Sequence, residues 1–192
     1  MTTDIPKTNN NSSYYPSDLK GVCTSIVAGV GAGVTNRLGC QALDILTKKT
    51  EVQPIQDVGQ KIFHAMKEGN KKQMAKLGLL SILVAPALEE YVYRGELYSY
   101  QKELSSEANQ SQTKSWKDIA KDIGINAALF TILHYERGMG IKRFLPLAAA
   151  CFVSGVTYCV LTDVTGNIGS STIAHGTENA LTLRKIYQLA KK

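Results

Sequence analysis

The sequence predicts an all-α protein: a helical bundle with a four-helix core and one extra N-terminal helix. Three observations carry that prediction. Apolar stretches of helix length recur along the chain, and no run alternates with the period of two that a strand needs. The breaks between stretches are rich in Gly, Pro, Asn and Ser. A chain of 192 residues also suffices for one domain with a real core and is short for two.

The elements follow in order. Residues 1–18, TTDIPKTNNNSSYYPSD after the initial Met, are polar and turn-rich, carry no secretory signal and predict a disordered tail. Residues 19–70 read as an N-terminal helix and a polar connector. The helix, 19–46, has GVGAGV at its centre, glycines that let a neighbouring backbone approach. The GK[ST] ending and preceding strand of a phosphate loop are both missing there. The connector, from Thr47 to about Glu68, contains Pro54 and a short amphipathic piece at 58–66. The core, 71–192, divides into helices at about 71–102, 116–135, 144–161 and 168–190, with breaks at SSEANQSQTKSWKD, GMG and TDVTGN. The stretch FLPLAAACFVSGVTYCVL has the length that spans a bilayer.

Composition narrows the partners. The 22 Lys and Arg against 16 Asp and Glu give a net charge of +6, which suits an anionic membrane surface. Nucleic acid is not indicated, because the basic residues form no aromatic-interleaved patch. The four cysteines (Cys23, Cys40, Cys151, Cys159) lie in apolar stretches without a CxxC pair, and are expected to be buried free thiols.

Three helices bear residues of chemical interest. Glu89 and Glu90 follow a dozen mostly apolar residues, an expensive place for charge. Glu90 and Arg94 are four apart and can pair on one helix face, while Glu89 points elsewhere. Pro86 just upstream is expected to kink the helix. Phe130 and His134 share a face of the next helix, and His175 and Asn179 a face of the last. Each motif alone has a plain alternative: a helix-end salt bridge, a capping histidine, a surface pair. His64, in the connector, reads as structural or exposed.

Together they describe a site that facing helices can build inside a bundle. Two neutral imidazoles with carboxylate oxygen suit zinc or another divalent metal, with Glu90, His134 and His175 as the candidate ligands. A metal-bound water is acidified, and a nearby glutamate can take its proton. In a metal-free alternative Glu89 activates water directly and His134 steadies the transition state. An amide side chain or Arg94 would hold the oxyanion.

EExxxR, FxxxH, an apolar helix and HxxxN, here EEYVYRG, FTILH and HGTEN, occur in the order that marks the CPBP family. The chain resembles this family of type II CAAX prenyl endopeptidases and bacteriocin-processing or abortive-infection proteins over roughly residues 71–190. The resemblance implies a metalloendopeptidase of CAAX-protease type, acting on a peptide or a lipid-modified protein. It implies that Glu89 is the general base, that Glu90, His134, His175 and Asn179 complete the polar site, and that Arg94 orients a carboxylate. It also implies an integral membrane protein. The basic loops, at 48–76, 137–143 and 184–192, would be cytoplasmic, whereas 102–121 mixes signs and 162–171 has no basic residue. The modest hydrophobicity leaves a second reading open: a non-catalytic immunity, scaffold or effector protein, soluble in the cytoplasm. The expected helix boundaries also set Glu89 at mid-helix and His134 at a helix end, a mismatch in depth.

Overall fold

The computed structural model describes residues 18–46, 57–109, 115–135 and 139–191. The expected tail, apart from Asp18, and Pro54 of the connector lie outside them. The described residues form six helices and no strand: α1 (Leu19–Leu46), α2 (Asp57–Lys67), α3 (71–109), α4 (Trp116–Ile132), α5 (Ile141–Thr165) and α6 (Gly169–Ala190). The short amphipathic piece of the connector is α2, which buries Ile62 and Ala65.

Side-chain caps set several helix ends. Asn70 accepts the Gln73 N–H at 3.0 Å at the start of α3, and Ser115 accepts that of Asp118 at 3.3 Å at the start of α4. Gly166, with φ of 71°, closes α5 in the left-handed region. Asn167 Oδ1 then accepts the Gly169 N–H at 2.9 Å, opening α6.

α3 is a continuous helix with two widened turns, Leu80–Val84 and Tyr91–Tyr98, in π geometry. Pro86 explains the first. It lacks an N–H, and its ring would crowd the carbonyl one turn back. The chain answers by widening that turn, so that the Ala85 N–H reaches the Leu80 carbonyl, five residues back. The kink expected at Pro86 is thus a π turn.

α6 is the central helix, packed on α1, α2, α3 and α5. α1 lies along it through its glycines. A Cβ on Gly29 would sit 2.6 Å from the Ser170 carbonyl oxygen, and one on Gly33 would sit 2.5 Å from that of Ala174. Glycine is required at both places because the backbone of α6 occupies the space, which is the close approach GVGAGV predicted. Polar residues finish the seam: Ser25 donates to Asn167 Oδ1 at 3.1 Å, and Thr157 of α5 donates to Asn36 Oδ1 at 3.0 Å. The far face of α1 carries Val22, Ile26, Val27, Val30, Val34 and Leu38, all exposed.

Cys151 and Cys159 are buried as expected, but Cys23 is exposed, and the side chain of Cys40 lies outside those described. The correction has a simple cause: α1 packs through its small residues, so its apolar stretch faces outward. α4 ends at Ile132, before the expected 135, which leaves His134 in the turn that follows.

Candidate active site

Glu89 and Glu90 end the short α-helical stretch Ala85–Glu90 between the two widened turns of α3. Glu90 is 0% and Arg94 1% exposed, and their side chains meet at 3.3 Å, the pair that the four-residue spacing anticipates. Burying two charges is costly, and further contacts offset that cost. Arg94 also donates to the Gly155 carbonyl at 3.2 Å. Its guanidinium lies over the rings of Phe130 at 4.5 Å, Tyr158 at 5.3 Å and Tyr93 at 5.7 Å.

The two histidines arrive from opposite sequence directions. His134 follows the last turn of α4, and its Nδ1–H donates to the Phe130 carbonyl at 2.7 Å, one of the carbonyls left without an amide partner at the helix end. His175, on α6, places Nδ1 3.0 Å from Glu90 Oε1. A carbonyl and a carboxylate can only accept, so both neutral rings carry their proton on Nδ1 and present a bare Nε2. Both Nε2 atoms lie 3.9 Å from Glu89 Oε2. That oxygen is itself shielded from solvent and has no hydrogen-bond partner. Glu89 Oε2 thus lies near two bare nitrogens, and all three have lone pairs that a water, a proton or a metal cation can take up.

The depth mismatch disappears in three dimensions. His134, in the turn after α4, brings its Nε2 within 3.9 Å of Glu89 Oε2 in the middle of α3. The Glu89 side chain is 35% exposed and that of His134 20%, against 9% for His175. The site therefore opens on the Glu89–His134 side.

The other expected members sit at its edge. Arg94 holds Glu90. Asn179 Nδ2 donates to the Ser81 carbonyl at 2.8 Å, inside the first widened turn. Of Glu90, expected on a metal, Oε1 is taken up by Arg94 and by His175 Nδ1, whereas Oε2 is buried without a hydrogen-bond partner. Glu89 is the carboxylate that faces both bare nitrogens. Among the described residues no three His, Cys, Asp or Glu form a ready-made metal cluster. The donor set is nonetheless of the right kind, and its 3.9 Å spacings are wider than the about 3.3 Å between ligands of a tetrahedral zinc.

A family model described as type II CAAX prenyl endopeptidase Rce1-like matches residues 72–181, more than half of the chain. The chain belongs to this family. Comparisons with curated proteins and with solved structures find no match. The Rce1-like region runs from the start of α3 into α6, so it contains every polar group of the site and leaves α1 and α2 outside.

Phe130 of the FxxxH motif and three residues of the Rce1-like region that the motifs did not single out, Asn126, Tyr158 and Glu178, support the site. Asn126, fully buried, donates to the Tyr93 carbonyl in the second widened turn at 2.9 Å. Phe130 packs edge-on against Tyr93 and lies 4.4 Å from the His134 ring. Tyr158 stacks on His175, and Glu178 accepts its hydroxyl at 2.7 Å. A signal for Asn126 existed in the sequence: an amide within an apolar helix, one turn before Phe130. Tyr158 had none, since it sits in the most apolar stretch of the chain.

Proposed function

We propose that the protein is a membrane endopeptidase of CAAX type that cleaves a peptide bond of a lipid-modified or other peptide substrate with a glutamate-activated water. The observation that carries this reading is the convergence of Glu89 Oε2 with the bare Nε2 atoms of His134 and His175, each 3.9 Å away. A water between Glu89 Oε2 and either Nε2 can stand at ordinary hydrogen-bond distance, about 2.8 Å, from both and donate one hydrogen to each.

Glu89 takes a proton from that water, whose oxygen attacks the carbonyl carbon of the scissile amide. His134, on the open side, receives the proton at Nε2 and returns it to the leaving amine as the C–N bond breaks. His175 keeps its lone pair aimed inward because Glu90 holds its Nδ1–H, and Arg94 holds Glu90. The same three groups are of the kind that bind a divalent metal such as zinc; Glu89, His134 and His175 would hold it, and it would supply Lewis acidity to the site.

Membrane residence rests on three supports. Members of the family are membrane proteins. Residues 144–165 of α5 form the one described helix long and apolar enough to cross a membrane, and only 28% of that stretch is buried. A soluble core helix would be mostly covered. Large apolar side chains also point outward from α1, α3, α4 and α5, among them Val27, Leu88, Ile132 and Val153. Basic residues gather at the end where α2, the start of α3 and the end of α6 meet, consistent with a cytoplasmic placement of that end.

Replacement of Glu89 by Gln tests the chemistry. With a quenched peptide ending in a prenylated CAAX sequence as probe, turnover falls by at least about a hundredfold at unchanged protein level. Undiminished turnover would remove Glu89 as the base, and no turnover by the native protein would remove the peptidase reading. Alkaline carbonate tests residence: the chain stays with the membrane pellet and leaves it only in detergent.

A further inference from the structure

The imidazole of His175 has three handles. Nδ1 is held by Glu90 and Nε2 faces Glu89, which leaves the ring plane. A single hydrogen bond at Nδ1 does not fix that plane, because the ring can still tilt about the line from its Cβ to Glu90. Tilting swings Nε2 away from the point it shares with Glu89 and His134.

The Tyr158 ring supplies the missing constraint. It lies 5.2 Å from the His175 ring at an interplanar angle of 21°, the one near-parallel ring pair among the described residues. Tyr158 is 1% exposed, and its own ring is backed edge-on by Phe130 at 6.2 Å. Its hydroxyl donates to Glu178 Oε2 at 2.7 Å, and Ser154 donates to both oxygens of the same carboxylate at 3.1 and 3.2 Å. Glu178 stands three residues after His175, one turn along α6. The tyrosine of α5 is therefore anchored to the helix that carries the imidazole, so the stack follows α6 through small relative movements of the two helices.

We propose that Tyr158, anchored by Glu178, is a positioning residue that fixes the ring plane of His175 and so the aim of its Nε2. The inference deepens the peptidase reading and rests on it for its consequence in catalysis, but the positioning itself is measurable without any substrate.

The chain contains only three histidines, His64, His134 and His175, so nitrogen-15 spectra of the full-length protein in detergent resolve each ring, assigned by single replacement. In the native protein His175 shows the form with the proton on Nδ1. Tyr158→Met fills the same space without a flat face. In that variant the His175 signals shift and broaden as the ring tilts, with the proton still on Nδ1, whereas those of His134 stay in place. Tyr158→Phe keeps the flat face but loses the hydroxyl anchor to Glu178, and its His175 signals lie between native and the Met variant, nearer to native. A Tyr158→Met protein with unchanged His175 signals overturns the proposal, as does a Tyr158→Phe protein as disturbed as the Met variant. In turnover of the prenylated peptide, Tyr158→Met lowers kcat about tenfold or more with KM unchanged, and Phe restores most of it. If the native protein does not turn the peptide over, the peptidase reading fails and the spectra still decide the role of Tyr158.

Discussion

Asn179 donates its side-chain N–H to the carbonyl of Ser81, 2.8 Å away and 98 residues earlier in the chain. The acceptor is not an arbitrary carbonyl. In a regular helix Ser81 would accept the Ala85 N–H, but that N–H goes to Leu80, and Pro86 has none to offer. The amide of α6 thus replaces the hydrogen bond that the widened turn gives up. Asn126 does the same kind of service for Tyr93 in the second widened turn. The two amides bracket the stretch that presents Glu89 and Glu90.

Asn179→Ala therefore loses stability as well as function. An unpaired carbonyl in this setting costs about 1–3 kcal/mol. Denaturant unfolding in detergent checks it. A variant as stable as the native protein but inactive would show that Asn179 serves the chemistry alone.

Glu90→Ala leaves Arg94 charged and enclosed, with the Gly155 carbonyl as its remaining hydrogen-bonded acceptor. Stranding a buried charge costs about 3–5 kcal/mol. The double replacement Glu90→Leu with Arg94→Met removes both charges and is more stable than Glu90→Ala. The comparison is read from unfolding midpoints, and the reverse order would show that the pair itself stabilises the fold.

The α1–α6 seam gives a paired test within one motif. Gly29→Ala drives a methyl against Ser170 O and the Ile173 side chain and destabilises by about 1–3 kcal/mol. Gly31→Ala, two residues on and facing open space, gains about 0.5–1 kcal/mol from helix propensity. Thermal melts of the two variants should move in opposite directions.

Zinc titration separates the two candidate carboxylates. Binding is expected to the native chain and lost in Glu89→Gln, His134→Ala and His175→Ala. In Glu90→Gln it is weakened about 10–100-fold, because Glu90 only orients His175. Equally weak binding by all five proteins would leave the metal-free route.

Much of the fold was legible because it is written locally. The apolar stretches gave the helices to within a few residues, and the four-residue spacing of Glu90 and Arg94 gave their ion pair. The spacing of Phe130 and His134 set them together, rings 4.4 Å apart, although α4 stops at Ile132 and the Phe130 carbonyl also holds His134. Pro86 announced a disturbance but not its form, since kink and widened turn start from the same missing N–H.

The sequence by itself determined the all-α class, the family motifs and the residue types available to the site, because helix periodicity and missing donors act over one or two turns. Only the tertiary structure decided which atoms meet. That Glu89 rather than Glu90 faces both bare Nε2 atoms depends on hydrogen bonds made at the other nitrogens, one of them to a residue 85 positions away. Widened turns shift the register of every face that follows, and the stack of Tyr158 on His175 joins two helices with no periodic relation to each other. Such contacts leave no trace in spacing; they exist only once α6 has packed among its neighbours.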